Sequence, residues 1–189
     1  MQITLRPATP DDAPAMAPMV DIAGHGLPMI LWAALAENGQ TPLDVGIARA
    51  ASDVGPFSWR NATIAEIDGQ IAGMISSYET GPTPIVVDPA TPAIPRPLIA
   101  LVNTVPLTRY INVLMTVDRF RRMGVACRLM AHAETIPGPN GMSLIAADSN
   151  TGGRAFYRGL GYVEGARKPV VRDGWTTDTR DWILLTKRP

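Results

Sequence analysis

The segment from Tyr110 to Ala147 constrains the fold more than any other part of the chain. Tyr110-Ile111-Asn112-Val113-Leu114-Met115-Thr116-Val117 is an apolar, β-branched run suited to a central strand. A helical stretch is expected from about Gly124 to Thr135, then a turn at Pro137-Gly138-Pro139-Asn140-Gly141, then a second apolar run from Met142 to Ala147. A strand, a crossover and a strand in one sheet make the two strands parallel neighbours.

Around that unit the signals are local. Ile3 to Arg6 alternates like a short strand, and Thr9-Pro10-Asp11-Asp12 supplies an N-cap, a first-turn proline and an acid three residues on, so a helix should run to about Ala23. Gly24-His25-Gly26 breaks it; Leu27 to Glu37 reads as a second helix closed by Asn38-Gly39, and Pro42 to Ala51 as a third. Ala62 to Ile67 and Gln70 to Tyr78 flank Asp68-Gly69, a strong hairpin signal. Pro82, Pro84, Pro89, Pro92, Pro95 and Pro97 remove too many N–H donors for a regular element, so this stretch should be a surface loop, followed by a short helix from Pro97 to Thr104. A helix from Thr151 to Leu160 and a closing hairpin, Tyr162 to Val171 and Trp175 to Thr186 around Asp173-Gly174, complete the chain. The expected class is α/β (α+β): a mixed, largely antiparallel sheet with helices on both faces.

With 189 residues, 46% of them hydrophobic and 18% charged, the chain can cover one core, so residues 1–189 are expected to form a single domain. Formal net charge is zero, which argues against nucleic acid or an anionic membrane surface as partner. Cys127 is the only cysteine, which rules out an internal disulfide and a multi-cysteine zinc site; it is expected as a small buried hydrophobe, and no metal is expected. The first residues carry no charged start with an apolar run, and no stretch approaches the ~18 apolar residues of a membrane span, so a cytoplasmic protein is expected.

The chemistry concentrates where the Tyr110–Val117 strand hands over to its helix. There the chain reads Arg121-Arg122-Met123-Gly124-Val125-Ala126. The first N–H groups of a helix lack intrahelical partners and carry the positive end of the dipole, and small residues let an anionic pyrophosphate approach the backbone. R-x-x-G-x-A is weak taken bare. Downstream, Asn150 follows a strand, and Phe156-Tyr157 precedes Gly159-Leu160-Gly161-Tyr162, so two linked signals sharpen each other. G-x-x-x-x-G-K-[ST], a strand-borne G-x-G-x-x-G and G-x-S-x-G are all absent.

On these residues the sequence resembles the GNAT superfamily of N-acetyltransferases. Its central motif, V-x-x-x-[RQ]-x-x-G-x-[GA], is matched by Val117, Arg121, Gly124 and Ala126, and its later pattern by Asn150, Tyr157 and Leu160-Gly161-Tyr162. Leu5-Arg6-Pro7-Ala8-Thr9 through Asp12 also looks like the family's opening. The resemblance implies acetyl-CoA, or another short acyl-CoA, as co-substrate, held by Met115, Thr116, Val117, Arg121, Arg122, Met123, Gly124, Val125, Ala126, Asn150, Phe156 and Tyr157. It implies that the strand with Met115 and Val117 splays from the Met142–Ala147 strand, leaving main-chain groups for the pantetheine arm.

Tyr157 would be the general acid toward the departing thiolate, with a main-chain N–H near Leu114 or Met115 steadying the oxyanion. Where many relatives carry a basic glutamate this chain has Asn112, which cannot be a base; Glu79, ranked ahead of Asp148, would take the amine proton through water. His25, Trp32, Tyr78 and Asn112 are the candidates for touching the acceptor. The activity implied is acyl-CoA-dependent transfer to an amine of a small molecule or protein; the alternative is a non-catalytic acyl-CoA sensor on the same scaffold. Family habit suggests a homodimer.

Overall fold

A computed structural model describes residues 2–189. The elements in chain order are β1 (Ile3–Pro7), α1 (Ala13–Ala23), α2 (Leu27–Ala33), α3 (Pro42–Ala51), β2 (Ala62–Ile67), β3 (Gln70–Glu79), α4 (Arg96–Val102), β4 (Arg109–Thr116), α5 (Val125–Ala133), β5 (Met142–Ala147), α6 (Thr151–Gly159), β6 (Val163–Pro169) and β7 (Asp181–Lys187). They form two compact units, residues 1–78 with 112–135 and residues 79–111 with 136–189.

In the first unit, Thr9 and Asp12 form the expected reciprocal cap, the Thr9 N–H donating to Asp12 Oδ2 at 2.7 Å. Asp12 is also gripped by Arg6 at 2.8 Å, and Arg6 reaches Glu66 at 2.8 Å, so the start of α1 is tied to β1 and β2. The Arg6 guanidinium, together with the Thr9 amide, holds the buried Asp12 carboxyl down at about 2. β1 pairs antiparallel with β2, and β2 with β3 through a turn in which Asp68 and Gly69 both take positive φ, 50° and 73°. The core gathers Met16, Ala17, Val20, Trp32, Ile64, Met74, Val113 and Met115. α2 ends at Ala33, four residues short of Glu37: Leu35 is exposed, and the Leu35 and Ala36 amides bond three residues back, so nothing rewards another turn.

In the second unit the first residues of β4 run parallel to β5, Arg109 opposite Met142 and Ile111 opposite Leu144, as the strand-helix-strand pattern requires. β5 pairs antiparallel with β7, and β7 with β6. α4 packs on β6 and β7, and Leu101, Leu144, Ile183 and Leu185 are buried. With β4 running through both units, the strand order is β1-β2-β3-β4-β5-β7-β6, a mixed and mostly antiparallel sheet.

The closing hairpin departs from expectation. β7 begins at Asp181, not Trp175, because residues 170–180 form a loop held by side chains: Trp175 stacks on Trp182 at 5.6 Å, Thr179 is buried and bonded to Ser149 at 2.8 Å, and the Val170 amide closes on Arg180 O. Cys127 also departs, being exposed. α5 buries Val125, Leu129, Met130 and Ala133, and a residue two positions past Val125 falls on the opposite side of a 3.6-residue turn. No helix among the described residues is long and apolar enough to cross a membrane, and no group of three or more His, Cys, Asp or Glu among them could hold a metal ion.

Candidate active site

β3 and β4 meet closely where β4 ends. The Val117 N–H donates to Ala72 O at 2.9 Å, and a side chain on Gly73 would run into the Met115 carbonyl and stand 3.1 Å from Val125 Cγ1. Gly73 therefore has a packing reason: only a bare α-carbon lets β4 close on β3 while the first residue of α5 stacks above. Met115 is buried, and the Thr116 hydroxyl is buried with no hydrogen-bond partner among the described residues.

Past β4, Arg121 is extended (φ −62°, ψ 151°), Arg122 turns left-handed at φ 64°, and Gly124, capping α5, takes φ 86°. The first helical bond is Arg128 N–H to Gly124 O at 3.0 Å. The amides of Arg122, Met123, Gly124, Val125, Ala126 and Cys127 thus make no hydrogen bond of ordinary geometry within the described residues. A run of unbonded N–H groups through alternating backbone hands, ending at a helix N-terminus, is an anion cradle. A side chain on Gly124 would meet nothing within 4 Å, so the space beside this residue is open. The residues fit a diphosphate. Arg121 pairs with Asp118 at 2.7 Å while staying well exposed, Arg122 and Met123 are exposed, and Ala126 is half-buried.

In the second unit Asn150 caps α6, its Oδ1 accepting the Gly153 N–H at 2.9 Å and leaving Nδ2 without a partner among the described residues. Tyr157 lies half-buried between Phe156 (ring centroids 5.4 Å, 62°) and Tyr162 (6.0 Å, 63°), both edge-on. Its hydroxyl bonds no described residue, and desolvation pushes it up to about 12, so it keeps its proton far past neutrality. Glu79 is exposed at the end of β3 and pairs with no cation among the described residues. The Asp148 carboxylate accepts the Arg180 N–H at 2.9 Å; burial works to raise its pKa, but the amides of Arg180, Asp181 and Ser149 hold it below the usual range.

The acceptor candidates differ in setting. Asn112 on β4 is half-buried and donates from Nδ2 to Pro56 O at 3.0 Å, and Ser76 Oγ on β3 reaches the same carbonyl at 3.4 Å. His25 is exposed in the α1–α2 turn with φ 56°. Tyr78 is half-buried, and desolvation pushes it to about 12. Trp32 is in the core of the first unit, 2% exposed and packed against Gly46. Sequence reasoning missed Gly73, the Pro56 anchor and an ion pair between Arg154 and Glu164. The two glycines of Gly152-Gly153 beside Arg154 hinted that α6 lacks apolar anchors, but the partners lie ten or more residues away.

The architecture is that of acetyltransferases. An acetyltransferase crystal structure matches with a TM-score of 0.66 at 15% identity over 98% of each chain. An N-acetyltransferase from Staphylococcus aureus Mu50 matches equally, TM-score 0.66 and 15% identity over 97% of this chain and 100% of that one. A diaminobutyrate acetyltransferase from Paenibacillus lautus, solved with L-2,4-diaminobutyric acid and coenzyme A, matches at a TM-score of 0.57 and 15% identity, covering 98% and 95%. At such identities the likeness establishes the fold. No curated protein matches the chain in sequence. The model of the Acetyltransferase (GNAT) family matches residues 31–162, and the chain belongs to that family. By class it is an N-acetyltransferase that draws on an acyl-CoA.

Proposed function

We propose that this chain transfers an acetyl group from acetyl-CoA to an amine of a small molecule or a protein, by direct attack on the thioester. The observation that carries the reading is the run of unbonded amides from Arg122 to Cys127, opened by the left-handed Arg122 and Gly124. It offers a diphosphate several N–H donors and a helix dipole without reorganisation. Arg121 and Arg122 add positive charge there, and the free Asn150 Nδ2 is suited to a pantetheine carbonyl.

Bound acetyl-CoA supplies the activated acyl group. The chain's own residues do the rest. Val117 spends its N–H on Ala72, and alternation along β4 turns the Leu114 N–H the other way, which favours Leu114 over Met115 as the donor that steadies the oxyanion. Tyr157, unionised and without a competing acceptor, donates toward the departing sulfur. Glu79 is our choice of base: its carboxylate is exposed and pairs with no cation among the described residues, whereas the Asp148 carboxylate is already engaged. Asn112 is occupied with Pro56, so we assign it to the wall of the acceptor site and not to proton transfer.

The test is release of free thiol from acetyl-CoA across a panel of amines, for wild type and Tyr157→Phe. Loss of a general acid should lower kcat by about 10²- to 10⁴-fold with KM for acetyl-CoA little changed. Tight CoA binding with no turnover on any amine would instead favour an acyl-CoA sensor.

A further inference from the structure

α6 carries Asn150 at its cap and Tyr157 in its second turn, yet none of its residues is fully buried. Partial burial and two edge-on ring contacts are a weak anchor for the direction in which Tyr157 points. Arg154, one turn before Tyr157 on the same side of the helix, donates from Nε and Nη2 to the two carboxylate oxygens of Glu164 at 2.8 and 2.9 Å, and from Nη1 to Asp148 O at 3.0 Å. Each of these contacts is with a support of Tyr157. Asp148 directly follows β5, the strand from which α6 springs through an Asn150 amide bonded to Ala147 O. Glu164 stands on β6 two residues past Tyr162, whose ring rests edge-on against Tyr157 and whose amide bonds to Tyr157 O at 3.0 Å.

We infer that Arg154 and Glu164 are positioning residues for the reaction: the forked pair sets the angle of α6 between the end of β5 and the start of β6, and so aims the Tyr157 hydroxyl. The inference rests on the reading of Tyr157 as the acid. The pair is shielded, both side chains 18% exposed, so its geometry is held against solvent exchange. A pair of this kind does little for net stability compared with apolar residues of the same size, whereas a planar guanidinium bonded at three points fixes orientation. Arg158 at 3.8 Å and Arg167 at 3.5 Å from Glu164 stand too far off or too exposed to replace the fork.

The experiment is a double-mutant cycle on kcat with Arg154→Ala and Tyr157→Phe, reading thiol release from acetyl-CoA with hydroxylamine, a nucleophile small enough for any acceptor site. Arg154→Ala alone should lower kcat by at least about tenfold, with KM for acetyl-CoA changed by less than about threefold. Added to Tyr157→Phe it should cost nothing further, because its whole effect passes through the hydroxyl. Arg154→Lys, which keeps the charge and loses the fork, should recover less than half of the lost rate, and it runs the same cycle if the alanine variant does not fold. Multiplying effects, or an unchanged kcat in the Arg154 variants, would overturn the positioning role while leaving Tyr157 as acid. A Tyr157→Phe variant as fast as wild type would overturn both.

Discussion

Helices α5 and α6 are each nine residues long, and they are held in opposite ways. α5 turns Val125, Leu129, Met130 and Ala133 inward and packs on β1 and β2; what it presents for chemistry is backbone, the amides ahead of its first turn. α6 buries no residue completely, and what it presents is a side chain, Tyr157, on a helix clamped by Arg154. The contrast suits the two tasks we propose for them. An anion cradle built from main-chain dihedrals needs only that the helix stay put, which apolar packing ensures at any pH or salt concentration. A proton donor must be aimed to within a fraction of an ångström, and directional, charge-assisted bonds do that better than close-packed methyl groups.

The largest expected difference is in stability. Leu129→Ala removes a fully buried side chain from α5 and should cost about 2–5 kcal/mol, read as a shift in the urea midpoint at constant slope. Phe156→Ala on α6 removes a half-buried ring and should cost about 1–2 kcal/mol. Equal costs would mean that α6 is also fastened by burial.

Next comes the cradle. Gly124→Glu puts a carboxylate against the phosphates and a side chain on a backbone at φ 86°, so CoA affinity should fall by about thirtyfold, roughly 2 kcal/mol, measured by titration calorimetry. A side chain there meets nothing within the protein, but the left-handed backbone strains any L-residue, so a folding cost of about 1–2 kcal/mol should accompany the binding loss. Unchanged affinity would place the diphosphate elsewhere.

A third difference concerns acid. Hydrogen bonding from Arg154 holds the Glu164 carboxyl below the ordinary glutamate range, with Arg158 and Arg167 adding to the effect. A depressed folded-state pKa means that the stabilisation is fully present above the unfolded value and fades as pH falls through the folded one. Hydrogen exchange corrected for intrinsic rate should therefore show α6 losing protection as pH drops below the usual carboxylate range, while α5 keeps its own until the first unit unfolds. Asp12, held at about 2 by Arg6, keeps the start of α1 fastened through most of that range.

The same contrast explains what could be read from the sequence. Burial and backbone conformation leave periodic and positional marks. The run from Tyr110 to Val117, the Asp68-Gly69 turn, the Thr9/Asp12 cap and the helical stretch of α5 are all legible; β2, β3, β4 and α5 begin within a residue of where their patterns place them, while α1 begins at Ala13, a turn after its cap. Side-chain clamps leave none, because their partners are set by tertiary approach. Nothing near Arg154 in the chain names Glu164, and nothing near Asn112 names Pro56, 56 residues away. The closing hairpin went astray for that reason. Trp175 and Thr179 look like strand residues by type, and it is the stack on Trp182 and the bond to Ser149 that bend residues 170–180 into a loop. Cys127 was misplaced for a simpler one, since its type suggests burial and its position on α5 does not.

The smallest expected effect lies where the first unit breaks its own habit. The loop carrying Pro56 is held to the sheet by side chains, with Asn112 Nδ2 at 3.0 Å from the Pro56 carbonyl and Ser76 Oγ at 3.4 Å. Asn112→Ala deletes the shorter bond and leaves the longer, so the carbonyl keeps a partner and the cost should be only about 0.5–1.5 kcal/mol, measured by thermal unfolding. Asn112→Glu installs a carboxylate in place of the amide, and it would face the Pro56 carbonyl with no proton to give and push the loop outward. If the loop walls the acceptor site, that variant should raise KM for the amine while leaving KM for acetyl-CoA as it was. A gain in kcat from Asn112→Glu would show instead that the position still faces the amine and that the chain works without a base it could have used.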